Sequence, residues 1–459
     1  MKPYPEYKPI GLAWLPEIPR HWTTRKIKYI FRERSEKGYP DEPLLAATQN
    51  HGVIPKSLYG ARTVEAQKDL HLLKLVRVGD FVISLRSFQG GIEYAYYQGI
   101  ISPAYTIMIP DSCLIDSGYF RYLAKSPNFI ALLQTCVTGI REGQNIDYST
   151  LRRHSLPLPP ADEQAQIVRY LDSMTAKINK LIRAKKRQIA LLQEQKQAII
   201  NQAVTRGLDP DVELKDSGID WLGPIPKHWK TCRCRYLFKE KNNRSETGNE
   251  VHLSMSQRHG LIPDSKLAER CILSETYVGG KLCLKDDLVL NRLKAHLGVF
   301  SLAQQSGVVS PDYTVLQVYK SKILPQYSEL VLKSQSCRRE LQLRVRGIVE
   351  GFWRLYTDDF NEISLPLPSL REQQKILASI LDKSEKINLI IQQGREKISL
   401  LTEYKNALIA AVVTGKVDVR NIAVEAVSPE DLAPSGDPDE SEEQDSTIPE
   451  DSEERKKYV

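Results

Sequence analysis

Along this chain the apolar positions form one dominant pattern. Between Pro157 and Asp209 they fall at Ile167, Leu171, Met174, Ile178, Leu181, Ile182, Ile189, Leu192, Ile199 and Ala203, in steps that mark one face of a helix. Between Pro366 and Asp418 the stripe recurs at Ile376, Ile380, Ile387, Ile390, Ile391, Ile398, Leu401, Leu408 and Val412. Lys, Gln and Arg stand between, so each stripe is a two-per-heptad seam rather than a broad core face. A helix of about 40 residues spans roughly 60 Å, beyond the usual globular length, and needs a partner. Shifted by 209 positions, the two segments align without a gap and agree at 20 of 53 positions, which is an internal duplication. Each copy supplies the partner of the other. The expected arrangement is an antiparallel pair about a pseudo-twofold axis, with a globular domain at either end.

The duplication extends upstream. Gly11-Leu-Ala-Trp14-Leu15-Pro16-Glu17-Ile18-Pro19-Arg20-His21-Trp22 opens the first half, and Gly218-Ile-Asp-Trp221-Leu222-Gly223-Pro224-Ile225-Pro226-Lys227-His228-Trp229 opens the second. Their prolines forbid regular helix and set up turns, and their tryptophans are sized to anchor the segment on a core. Between opener and helix each half reads as β-rich. Val76–Leu85 matches Leu284–Asn291, and Gly99–Thr106 matches Gly307–Thr314, with Gly79-Asp80 and Asp286-Asp287 as turns before buried strands. Helical patterns follow over Ser117–Leu133 and Pro325–Leu343, then a strand running into Pro-Leu-Pro. The fold class is therefore α+β: one domain and one long coiled-coil helix, repeated. The divisions are 1–156 and 210–365 for the two domains, 157–209 and 366–424 for the helices, and 425–459 for an acidic, disordered tail.

Charge sharpens this picture. The formal net charge is +7 over 459 residues. Residues 425–454 carry 13 acidic groups and no Lys or Arg, so the body holds a surplus of about +17, which suits a polyanionic partner such as double-stranded DNA. No apolar run approaches membrane-spanning length and the N-terminus lacks a signal-peptide pattern, so a cytoplasmic protein with no membrane partner is expected. Seven scattered cysteines fit reduced thiols.

Openers and helices match well while the loops between them diverge, as a reader of two different targets requires. The candidate DNA contacts in the first half are Gln49, Asn50, His51, Lys56, Arg62, Arg86, Ser87, Gln89, Arg141 and Gln144. Those in the second are Gln257, Arg258, His259, Asn291, Arg292, Lys294, His296 and Arg354. Asn and Gln can pair bidentately with adenine edges, Arg with guanine, and Ser or His more loosely. Ile167, Leu171, Ile178, Ile189, Leu192, Ile376, Ile387, Ile398 and Leu401 are the candidate helix-packing residues. Glu163-Gln164 and Glu372-Gln373, at the helix starts, read as caps favoured by the helix dipole. No phosphate loop, dinucleotide turn, HExxH or amino-methyltransferase tetrapeptide occurs, and the carboxylates of Pro210–Lys215 are too local to converge on a metal. No catalytic or metal-binding residue is assigned.

Several features together resemble the specificity subunits of type I restriction–modification systems. They are the Lys215-to-Trp229 opener and its weaker copy at 11–22, both Pro-Leu-Pro-x-x-x-Glu-Gln helix starts, and the helix ends Ala203-Val-Thr205 and Val412-Val-Thr-Gly415. The resemblance runs to about Asn421. It implies two target-recognition domains, each reading half of a bipartite DNA sequence, with the helices setting the spacer and no catalysis in this chain. The implied partners are two adenine-N6 methyltransferase subunits and ATP-driven restriction subunits. S-adenosylmethionine, ATP and Mg²⁺ would be bound by those partners, leaving this chain without a cofactor. A stand-alone DNA-binding regulator and an autonomous DNA-modifying enzyme are the competing readings.

Overall fold

A computed structural model describes residues 2–49, 51–58, 69–85, 87–138, 145–256, 259–266, 277–347, 353–425 and 427. These residues form two compact units. The first takes 2–186 together with the stretch from Gly394 onward, and the second takes Arg187–Gln393.

In the first unit, β1 (Thr23–Lys26), β2 (Phe31–Arg34), β3 (Leu45–Thr48), β4 (Gly52–Pro55), β5 (Phe81–Ile83), α1 (Ser87–Gly90), β6 (Glu93–Tyr94) and β7 (Thr106–Pro110) are followed by α2 (Ser117–Leu123) and α3 (Pro127–Thr135). Then β8 (Ser155–Leu158) leads into α4 (Ala161–Arg206). The main sheet is antiparallel in the order β2-β7-β5-β6, β3 and β4 form a hairpin, and β1 pairs with β8. One sheet face packs Phe31 and Phe81 against Phe120, with ring centroids 4.6 and 4.7 Å apart. A smaller cluster of Leu45, Val53, Val76, Val82 and Ile107 lies under the hairpin.

The second unit repeats the plan. It contains β9 (Lys230–Arg233), β10 (Phe238–Lys241), β11 (Leu253–Ser256), β12 (Gly260–Pro263), β13 (Leu288–Asn291), β14 (Phe300–Leu302), β15 (Tyr313–Val318), α5 (Pro325–Lys333), α6 (Gln335–Arg344) and β16 (Ser364–Leu367). The helix α7 (Leu370–Val413) begins in this unit. Its sheet order, β10-β15-β13-β14, is the counterpart of the first. Each sheet also buries an equivalent ion pair: Arg34 Nε lies 2.8 Å from Asp80 Oδ2, and Lys241 Nζ lies 2.9 Å from Asp287 Oδ2. Each of these aspartates also accepts a backbone N–H three residues upstream, from Arg77 or Leu284, and so closes the turn before its strand. The expected turns are thus present, and a paired cation pins each one.

The long helices start after proline-rich strands and stop at Gly207 (φ +81°) and near Gly415 (φ +76°), in the left-handed conformation glycine tolerates best. In the first unit the start of α4 and the end of α7 run antiparallel. Asn179 Oδ1 accepts from Lys405, and Gln166 donates to the carbonyls of Val419 and Ile422. In the second unit Lys196 donates to Asn388, and Gly207 lies near Glu372. Ile167, Leu171, Ile178, Ile376 and Ile387 are buried as expected, whereas Ile189, Leu192, Ile398 and Leu401 are half-buried. Two expected seam residues, Leu181 and Ile390, are exposed at 55% and 44%. A pair of helices covers only a narrow stripe, and these two positions fall beside it.

Other expectations are refined. The openers are antiparallel hairpins, Tyr7–Leu12 with Leu15–Pro19 and Leu214–Asp216 with Pro224–Pro226, rather than simple turns. Each helical pattern after the sheet splits in two, because Ser126 and Ser334 turn their hydroxyls to accept the N–H of Phe129 and Cys337 and start a new helix. Trp22 and Trp229 are fully buried, as anchoring residues should be. The acidic tail lies outside the described residues, apart from Glu425 and Val427. No described helix is long and apolar enough to cross a membrane.

Gly394 stands inside α7, where glycine costs about 0.5–1 kcal/mol relative to alanine. Gly394→Ala should therefore raise the urea midpoint of unfolding without changing the slope of the transition.

Candidate nucleic-acid interfaces

Each long helix begins with a carboxylate that faces its own opener. Glu163 Oε1 accepts from Trp22 Nε1 at 2.9 Å and from the Tyr4 hydroxyl, and Glu163 Oε2 lies 2.7 Å from His21 Nε2. In the second unit Glu372 Oε1 accepts from Trp229 Nε1 at 2.9 Å, with His228 Nε2 3.1 Å from Oε2. The adjacent glutamines secure the other side. Gln164 accepts from Asp116 N–H and donates to the carbonyls of Leu114 and Pro159. Gln373 accepts from Leu324 N–H and donates to Lys322 and Pro368. The Glu-Gln pair is a clasp between helix and domain, not the helix cap expected from its position, because the buried indole N–H is the stronger claimant for the carboxylate.

The far end of the partner helix completes each clasp region. In the first unit Tyr119 donates to the Val413 carbonyl, and a Cβ on Gly415 would fall 2.4 Å from Pro19. In the second, Tyr327 donates to the Val204 carbonyl. The candidate reading loops project from these scaffolds.

The β3–β4 and β11–β12 turns share one hydrogen bond among the described residues. His51 N–H donates to Thr48 Oγ1 at 3.1 Å, and His259 N–H donates to Ser256 Oγ at 3.2 Å. The glycines that follow, Gly52 and Gly260, have φ of +72° and +70°. Gln49 and His259 are exposed at these tips and His51 is half-buried. Lys56 is half-buried beyond β4, and Gln89 is exposed on α1.

Ser87 is turned inward. It is 1% exposed, and its hydroxyl accepts the Ser84 N–H at 2.8 Å, so its local fold claims the group proposed for a base. Arg292 is also occupied within its unit: Nε donates to Thr314 at 2.6 Å and Nη2 to Glu240 at 3.1 Å. Around it, Asn291 accepts the Leu293 N–H, Lys294 is half-buried, and Arg354 Nη2 lies 3.8 Å from Asp312. His296 is partly desolvated, which lowers its pKa. Asn50, Arg62, Arg86, Arg141, Gln144, Gln257 and Arg258 lie outside the described residues.

Three residues missed in the sequence stand behind the first reading loop. Lys125 Nζ donates to the carbonyls of Gln49 and Gly90 at 3.0 and 2.9 Å and to Glu93 Oε1 at 2.6 Å. Burial, opposed by the Lys125 ammonium, pushes the Glu93 carboxyl up to about 7. Only the Gly90-Gly91 doublet hinted at a close approach here. Among the described residues no group of three or more His, Cys, Asp or Glu is arranged to hold a metal ion.

With this geometry in hand, comparison with known proteins is informative. The family described as Type I restriction modification DNA specificity domain matches residues 21–191 and 233–400, once for each repeat. The chain belongs to that family. It is similar to the type I restriction enzyme MjaVIII specificity subunit of Methanocaldococcus jannaschii, at 23% identity over 76% of this chain and 81% of the relative. It is also similar to the putative MjaX specificity subunit of the same organism, at 22% identity over 88% of this chain and 95% of the relative. Its fold is similar to that of a chain in a structure of the type I R-M system, with a TM-score of 0.61 and 14% identity, covering 87% of this chain and 99% of the other.

Two outcomes follow from this geometry. Glu163→Ala strands a buried indole N–H and a buried hydroxyl and should cost about 2–4 kcal/mol, and Glu372→Ala, at a more exposed clasp, about half that. Urea denaturation of each variant measures both. The raised pKa of Glu93 means the folded chain keeps a proton that the unfolded chain releases between about pH 4.5 and 7. Its contribution is therefore full below pH 4.5 and lost as the pH rises through 7, and Glu93→Gln should flatten that decline in a denaturation series.

Proposed function

We propose that this chain is the sequence-reading, noncatalytic subunit of a type I restriction–modification assembly, with each repeat addressing one half of a bipartite DNA target. The observation that carries the reading is the pair of turns at Thr48–Gly52 and Ser256–Gly260. Both seat the histidine N–H on the hydroxyl three residues earlier and follow it with a left-handed glycine. Both keep Gln and His (Gln49/Gln257, His51/His259) while Asn50 becomes Arg258, so one scaffold carries a changed side chain between two kept ones. Lys and Arg contacts to phosphates would supply salt-sensitive affinity, and the loop side chains would supply base preference. Gln49, His51, Gln89 and His259 are the described candidates whose geometry leaves them accessible for this role.

The long helices would fix the spacing between the half-sites and present the surface on which two adenine-N6 methyltransferase subunits and the restriction subunits assemble. S-adenosylmethionine, ATP and Mg²⁺ would act on those subunits, in the cytoplasm. Reconstitution with the methyltransferase subunit should give adenine methylation at a two-part sequence. The purified chain alone, with DNA, S-adenosylmethionine, ATP and Mg²⁺, should yield neither methylated nor cleaved product. Modification by the chain alone would overturn the noncatalytic assignment, and methylation without a two-part preference would overturn the reading role.

A further inference from the structure

The first reading loop is held by a post. Lys125 follows the last turn of α2, and its one ammonium satisfies three acceptors from three separate pieces of chain. These are the Gln49 carbonyl on the β3–β4 turn, the Gly90 carbonyl at the end of α1, and the Glu93 carboxylate on β6. Glu93 is 2% exposed, and its other oxygen, Oε2, has no hydrogen-bond partner. The carboxylate is thus committed to Lys125 in a site that offers it nothing else.

The two glycines make the assembly close-fitting. A Cβ on Gly90 would lie 2.1–2.4 Å from three atoms of the Gln49 side chain, so this side chain rests directly on the α1 backbone. A Cβ on Gly91, whose φ is +85°, would lie 2.2 Å from the Ala124 carbonyl. The tip of the hairpin, the α1 turn and the end of α2 therefore share one contact, with the Lys125 ammonium at its centre.

The second repeat keeps the lysine and changes its partners. Lys333 ends α5 at the corresponding place, but its Nζ bonds Glu329 Oε1 at 2.7 Å, one turn back on its own helix, and lies 5.8 Å from the Phe300 ring centroid. Ser301 takes the register position of Glu93, paired with Val289 as Glu93 is paired with Val82. Glu329 Oε1 also accepts from Ser301 Oγ at 3.1 Å, so in this repeat the lysine reaches the strand through a glutamate of its own helix rather than through a carboxylate on the strand.

We infer that Lys125 is a positioning residue for base reading in one half-site: through the Gln49 and Gly90 carbonyls, with Glu93 as its buried counter-charge, it sets where the Gln49 side chain is presented. This rests on the reading role proposed above. A post of this kind improves discrimination by pre-organising the contact, since a side chain that must be ordered on binding spends part of its interaction on that ordering.

The test uses the complex reconstituted with the methyltransferase subunit and DNA libraries varied one base pair at a time across the target. Lys125→Met should reduce preference at one or two base pairs of a single half-site by about tenfold and leave the other half-site unchanged. Lys125→Arg, which keeps a cation with several donors, should restore most of it. Gln49→Ala should lose preference at the same base pairs, and the double variant should be no worse than Gln49→Ala alone. That non-additivity would not arise from a purely structural lysine. Unchanged preference in Lys125→Met, equal loss in both half-sites, or additive losses in the double variant would overturn the inference. A wild-type complex with no two-part preference would instead overturn the functional reading, and this inference with it. Should Lys125→Met not fold, Lys125→Gln, which removes the charge, takes its place in the same cycle with Gln49→Ala, with the same outcomes deciding.

Discussion

A carboxylate bonded to a buried indole N–H is the contact on which each unit of this protein turns. A pair of long helices with narrow seams hides too little apolar surface to fix its own register, and Ile189, Leu192 and Ile398 along it are only half-buried. Register is imposed at the ends. Glu163 and Glu372 bind Trp22 and Trp229, while Gln164 and Gln373 take up backbone groups that would otherwise lie buried without partners. The helix cannot slide by a residue without leaving these groups unpaired, so the position of each helix relative to the domain it enters is set chemically rather than by packing alone.

How far this was legible depends on what kind of signal each part leaves. The duplication, the α+β class, the two long helices and the buried tryptophans were all written in residue spacing, because a repeated helix and a repeated opener each leave a long run of matched positions. The Glu-Gln pair was noticed yet assigned to the wrong donors, since its partners Tyr4 and Trp22 lie about 140 to 160 positions away and no local rule points to them. Lys125 and Glu93 were invisible for the same reason. Ser87 and Arg292 were plausible as base contacts by type alone, and only the structure shows the Ser84 N–H, Thr314 and Glu240 already bound to them.

The two repeats also show which features a duplicated scaffold keeps. Arg34–Asp80 and Lys241–Asp287 place a cation beside a buried carboxylate at the same turn, with the cation exchanged. At that turn Gly79 adopts φ +93°, whereas the second copy uses Asp286 at φ +71°, a conformation an aspartate tolerates better than most residues. The constraint retained is the shape of the turn and the neutrality of the buried pair. Residue identity is free to drift wherever both are still met.

The division of the chain carries a consequence for its biosynthesis. Among the described residues the second unit is one continuous stretch, Arg187–Gln393, whereas the first needs the strand-rich segment before Lys186 and also the helix half that begins at Gly394. On a ribosome moving at about 5–20 residues per second, the earlier segment waits some 10–40 s for its missing helix. The half of the protein translated first is thus the last able to close. Until then it exposes the groove around Tyr119 and Trp22 that Val412 and Val413 will fill, a nascent surface open to chaperones and to the wrong chain.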